Sequence, residues 1–240
     1  MAANGLAHTV RQQLGIGRIL PLGGPADGAW ITERAARAAL LRAPGTPPGV
    51  RLNALRLSLA APGDAPAATV PAPPSALPPG PLRITADLAA PPDLPLPALA
   101  AQLRTALLAA AEDGLGLRVG AVDLRIGELL DAPAEDGPGE KDRAADRPPA
   151  PAAAGPAGAA ADPSDLVARI LAVPGVARLA PALAGRSRPV ARTDDHVLVQ
   201  LATTTGHRPL DVARAVRRAV TGPPPAPRSA AVLVTAVADG

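Results

Sequence analysis

The sequence predicts an α+β fold in which one helix-strand-strand-helix-strand unit occurs twice. Each copy is expected to be a small, mostly antiparallel sheet with its helices on one face, and a disordered linker joins the two. Three observations carry this. Leu99, Leu103 and Leu107 recur every four residues, as do Val212, Val216 and Val220, and each series marks the buried stripe of an amphipathic helix. Each helix follows an alternating run, LRITADLA (82–89) or HVLVQLAT (196–203), and precedes another, AVDLRI (121–126) or AAVLVTAV (230–237). Between the copies, residues 131–165 contain no Leu, Ile, Val, Met or aromatic residue, so that stretch buries too little apolar area to offset its ordering entropy.

Taken in order, residues 1–27 read as an N-terminal helical extension. Asn4 is a candidate N-cap, Leu6, Val10 and Leu14 are spaced by four, and Gly15-Ile16-Gly17 ends the run. The first domain spans 28–130. Its first helix, 31–42, ends before the turn Pro48-Gly49-Val50. Residues 60–81 hold eight Pro and only Val70 and Leu77 as large apolar side chains, which predicts a surface excursion within the first domain. The second domain, 166–240, repeats the order. A helix over 165–173 leads into Pro174-Gly175-Val176, and aligning the later helices also matches Ala100 to Ala213, Arg104 to Arg217 and Ala106 to Ala219.

Composition narrows the function. Of 240 residues, 57 are Ala, 32 Pro and 23 Gly, and Arg outnumbers Lys 23 to one (Lys141), the bias of GC-rich codons. Trp30 is the single aromatic residue, so bases have no rings on which to stack. Without Cys there is no disulfide framework, zinc finger or thiol nucleophile. The net charge of +3 divides into +2 over residues 1–130, −5 over 131–165 and +6 over 166–240. The acidic linker is a candidate to fold back on the basic C-terminal domain. The N-terminus lacks a basic segment followed by an apolar one, and the chain is expected in the cytoplasm.

Each unit resembles the domain of the alkaline-shock-protein family of bacterial envelope-stress proteins. The resemblance rests on GVRL (49–52) and GVARL (175–179) at the first turn, and on Gly114-Leu115-Gly116-Leu117-Arg118-Val119 with Val122, Leu124 and Ile126 at the ending. It departs from the family pattern after each long strand, at Pro91-Pro92-Asp93 and Thr205-Gly206-His207, where the family often carries an aromatic-Gly pair. The whole chain is also similar to high-GC bacterial proteins labelled as a nucleopolyhedrovirus P-ten family, in which a stretch like LGIGRILPLGGPADGAWITERAA precedes the two units. The resemblance implies a non-enzymatic protein held near the cytoplasmic membrane by a membrane-anchored partner, with no catalytic residues, cofactor or metal.

The residues themselves agree on the absence of a reactive centre. Gly114-x-Gly116-x-x-x-Gly120 and the Gly15, Gly17, Gly23 and Gly24 set follow helices, the reverse of a dinucleotide fingerprint. Asp194-Asp195-His196 has ligand types, but neighbours on an extended chain point to opposite faces. No Gly-x-Ser-x-Gly elbow occurs. Two features remain. Arg214, Arg217 and Arg218 fall together on the helix face away from the valines, with Arg208 nearby, and this is a candidate surface for anionic lipid, acidic protein or nucleic acid. Trp30 is either a staple between the N-terminal extension and the first domain or an exposed partner anchor. The resulting expectation is a non-catalytic interaction or scaffold protein. Its expected partners are related alkaline-shock-type proteins or a membrane-anchored one; nucleic-acid or polyanion binding through the Arg helix is the alternative.

Overall fold

The alternating runs become strands and the four-spaced runs become helices. A computed structural model of the chain describes residues 15–92, 95–130, 163–182, 188–193, 195–222 and 226–238. Its elements are β1 (Ile19–Leu22), β2 (Ala29–Thr32), α1 (Glu33–Leu41), β3 (Arg51–Leu59), β4 (Leu82–Ala90), α2 (Leu96–Ala109) and β5 (Val119–Leu129). There follow α3 (Pro163–Leu171), β6 (Val176–Leu179), β7 (Val190–Arg192), β8 (His196–Thr204), α4 (Pro209–Val220) and β9 (Ser229–Ala238). The expected helix from Asn4 and the expected linker up to residue 162 lie outside the described residues.

The fold is mixed α+β with two sheets. The first has the order β3-β4-β5, and the second the order β1-β2-β9-β8-β6, with β7 also on β8. Each sheet is mixed, which corrects the expectation of mostly antiparallel pairing. β3 runs antiparallel to β4, as β6 and β7 do to β8, but β4 pairs parallel with β5 and β8 parallel with β9. The cause is connectivity: α2 and α4 intervene, and a crossover through a helix returns the chain in the same direction.

One apolar core takes in the inner faces of both sheets and helices α1 to α4. On β4, Leu82, Ile84, Ala86 and Leu88 point into it, while Arg83, Thr85 and Asp87 face out half-buried. β9 is covered on both faces. Ala230, Val232 and Val234 join the main core, and Ala231 and Leu233 join a second cluster on the other side, which is why this strand reads as a nearly continuous apolar run.

Residues 19–32 form a hairpin, β1 antiparallel to β2, so the boundary placed at residue 28 falls inside it. β2 then pairs parallel with β9, Trp30 opposite Leu233, and the hairpin thereby completes the C-terminal sheet. Thr32 ends β2 and caps α1, its hydroxyl accepting from Ala35 N–H at 3.3 Å and donating to Thr235 O at 3.2 Å. The excursion over 60–81 leaves its own sheet as well. Leu77 N–H donates to Ile19 O at 2.9 Å and Thr69 N–H to Pro25 O at 3.2 Å, and Ala68, Val70 and Ala76 pack on the outer face of the C-terminal sheet. Where the two sheets meet, side chains take ladder positions. The Glu33 carboxylate accepts from Leu57 N–H at 3.2 Å and Arg18 N–H at 3.1 Å, and Arg18 Nη1 donates to Leu57 O at 2.9 Å.

Candidate functional site

The Arg face of α4 is folded onto the chain itself. Arg214 meets Asp27, in the loop between β1 and β2, with Nε to Oδ1 at 2.8 Å and Nη2 to Oδ2 at 3.2 Å. Arg217 donates through Nε to Ala230 O at 2.8 Å and through Nη1 to the carbonyls of Ala26, at 2.8 Å, and Asp27. Arg208 spans to Glu112 O with Nη2 at 2.6 Å. Arg218 is exposed and forms no ion pair among the described residues. A polyanion approaching this helix would therefore meet Arg218 and the outer parts of Arg208 and Arg214, rather than four free guanidinium groups.

Asp27 is the anchor of that clasp. Partial burial pushes its carboxyl up, but the hydrogen bonds from Arg214 and from Gly24 N–H, with the charges of Arg214 and Arg217, outweigh burial and hold it below its ordinary value. It is ionised at neutral pH. Backbone shape allows the approach: a Cβ on Gly28, at φ +55, would lie 2.8 Å from Arg217 Cζ and from Val70 Cγ2. A carboxylate locked between guanidinium groups is suited to joining elements, not to exchanging protons.

A second contact joins the same regions. α2 runs into a wider π-helical turn, Ala110–Leu115, which ends at Gly116 with φ +91; there Gly116 N–H bonds to Ala111 O and Glu112 O. A Cβ on Gly116 would come within 2.8 Å of Leu210 Cδ2 in α4. This glycine serves as cap and close contact.

Trp30 is 1% exposed, so its ring offers no surface to a partner. It lies with Ile19, Ala231 and Leu233 under Ala68, Val70 and Ala76, and its Nε1 donates to Leu77 O at 3.4 Å. It joins Ile19 of the stretch 1–27 to the excursion of the first domain, and it fastens both to the C-terminal sheet. Beside it a cavity of about 550 Å³ is lined by Ile19, Pro73, Ala191, Leu198, Gln200 and Leu233. Both ends of the Gln200 amide are engaged, Oε1 by Ala182 N–H at 2.8 Å and Nε2 by Arg188 O at 3.1 Å.

The remaining candidates are also engaged internally. Gly23 N–H donates to Gly116 O and Gly24 N–H to Asp27 Oδ2, so neither faces outward to a phosphate. Asp194 lies outside the described residues. Asp195 meets Arg228 at 3.6 Å, and His196 Nδ1 pairs with Ser229 Oγ at 2.9 Å. Burial and the Arg217 charge lower the His196 pKa. Among the described residues, no three His, Cys, Asp or Glu side chains group as metal ligands, and no helix is long and apolar enough to cross a membrane.

Among the described residues, what stays open is the outer face of the first sheet. Arg56, Thr85 and Asp123 stand abreast on β3, β4 and β5, with Asp87 and Arg125 in the next row. An ion pair joins Arg83 to Asp123 at 2.5 Å. The alternation of the strands holds most of this signal, since the outward positions are polar apart from Ala54 and Ala121, but the sequence does not say which of the two sheets is left uncovered. No protein-family model, no curated protein and no solved structure matches the chain.

Proposed function

We propose that this chain is a non-catalytic interaction protein built from two copies of one alkaline-shock-type unit, in which the C-terminal copy is the buried support and the first copy presents a surface. The observation that carries this is an asymmetry of cover. The C-terminal sheet has helices on one face, the excursion on the other, and β2 along β9, whereas among the described residues nothing covers the outer face of the first sheet.

Duplication is supported by the ladders. In each unit the first strand pairs antiparallel with the second and the second parallel with the third, across a helix. The β4–β5 ladder slips once between Leu82 and Arg83, without a counterpart in β8–β9, and both ladders slip by one residue farther on, between Leu88 and Ala89 and between Leu201 and Ala202. Those are corresponding positions when Leu99 is aligned with Val212. The turn glycines Gly49 and Gly175 share left-handed φ values of +77 and +89. A bulge is a positional feature of a fold, and its recurrence at one aligned site supports common descent of the two units.

The reading places the protein in the cytoplasm, peripheral to the envelope, bound to a protein partner through the face around Thr85. A photo-cross-linking residue at Thr85, expressed in the native host, is expected to capture a protein, while the same residue at Leu198, beneath the excursion, yields only internal adducts. Absence of any protein adduct at Thr85 would overturn the reading. Nucleic-acid binding through α4 would replace it if the full chain showed a salt-dependent shift of DNA or RNA that Arg218→Gln abolishes.

A further inference from the structure

β5 is an edge strand: β4 lies along one side, and among the described residues no strand lies along the other. The same chain shows what this edge lacks. β9 holds the corresponding place in the C-terminal sheet, and there β2 covers the free side. Ladder register matches Val122, Leu124 and Ile126 of β5 to Ala230, Val232 and Val234 of β9. The β9 residues are 0% exposed, whereas all three β5 residues are only half-buried. Leu129, further along β5, is 54% exposed. The backbone edge is open too: the Val122 carbonyl receives only a 3.5 Å contact from Arg104 Nε. By the two-residue alternation of a strand, Leu124 and Ile126 turn their peptide groups to the same side.

We propose that the occupant of this edge is β5 of a second copy of the chain, paired antiparallel about a two-fold axis at Leu124. β5 is complementary to itself in that register. Leu124 faces the partner's Leu124, and Val122 faces the partner's Ile126, so the apolar inner face continues across the junction. Asp123 stands opposite the partner's Arg125, and Arg125 opposite the partner's Asp123. Toward the ends, exposed Leu129 falls opposite the partner's Val119. Arg125 is exposed and makes no ion pair among the described residues, so the partner's carboxylate supplies an absent counter-charge. A register moved by two residues would lose this pairing of opposite charges. Pairing through a two-fold closes the assembly at two chains and leaves neither β5 edge open to further strands.

The test uses the full chain. Sedimentation at micromolar concentration is expected to show a dimer. Asp123→Arg or Arg125→Asp alone puts like charges opposite each other twice per dimer and is expected to weaken association by about tenfold or more. The double swap restores opposite charges and is expected to restore the dimer; circular dichroism checks that each variant stays folded. The chain has no Cys, so Leu124→Cys gives one thiol per copy. A hydrogen-bonded antiparallel pair has its Cα atoms about 5.5 Å apart, within disulfide reach, and oxidation is expected to cross-link this variant but not Thr85→Cys. A monomeric wild type with no Leu124→Cys cross-link overturns the proposal, and so does a dimer indifferent to both single reversals. The proposal deepens the interaction reading by naming a partner for one edge of the same sheet. A monomer that still captures a protein at Thr85 would sink the dimer and leave that reading standing.

Discussion

Arg214 closes on Asp27 across 187 residues of sequence, Nε to Oδ1 at 2.8 Å, and so ties the last helix to the first loop of the described fold. The Asp27 side chain is 18% exposed and that of Arg214 41%, which leaves the pair partly screened. Asp27→Asn is therefore expected to cost about 1–2 kcal/mol rather than the larger cost of breaking a fully buried pair. The carboxyl is held below its ordinary 3.8, so the unfolded chain binds its proton first as pH falls. Its contribution is whole above that value and drains away as pH drops through 3.8 toward the lower folded pKa. Urea unfolding from pH 6 down to 3 should show that loss, and Asp27→Asn should flatten it.

Gly116→Ala is expected to destabilise the protein by about 2–4 kcal/mol, from left-handed strain plus overpacking against Leu210. Thermal unfolding measures it. Leu210→Ala removes Cγ and Cδ2 but keeps the Leu210 Cβ, the atom the added methyl would meet most closely, so the double variant should recover only a small part of the steric cost.

Thr203 is fully buried, and among the described residues its Oγ1 has no hydrogen-bond partner. Valine has the same shape without the hydroxyl, so Thr203→Val is expected to raise stability by about 1 kcal/mol. An unchanged or lowered denaturation midpoint would contradict this.

As the single indole, Trp30 reports on the outer cluster alone. Native fluorescence should be blue-shifted and poorly quenched by iodide, moving to a solvent-like maximum on unfolding. Trp30→Ala is expected to cost about 3–5 kcal/mol, since the excursion and the sheet cannot both close on the void.

The parts of the fold that were legible in the sequence are those whose partners are local. Leu99, Leu103 and Leu107, or Val197, Val199 and Leu201, state by their period which face is buried, and all six are buried. The Pro-Gly-Val turns likewise encode their own geometry. The N-terminal hairpin was missed because ILPL and AWIT are short, non-alternating runs whose meaning depends on β9, a strand buried on both faces. The excursion showed its irregularity but not its destination, since Val70 and Ala76 pack on residues far along the chain. Arg214 and Arg217 looked free for a related reason: besides Asp211, one turn back on the same helix, their partners are the distant Asp27 carboxylate and three carbonyls, and carbonyls carry no signature in sequence.

The crossing of the hairpin onto β9 also sets a timetable for biosynthesis. Thr32 and Thr235, hydrogen-bonded in the finished protein, are 203 residues apart. At ordinary translation rates β2 waits about 10–40 s for its ladder partner. Through that interval Trp30 and Ile31 have no sheet to enter, and the excursion has no surface to cover. The β1–β2 hairpin and the ladders of β6 and β7 with β8 do not involve β9, but the two pieces join only through β9, the strand made last. Chaperones that shield short apolar segments would therefore act on the earliest residues of this fold, although those residues end in its best-buried layer.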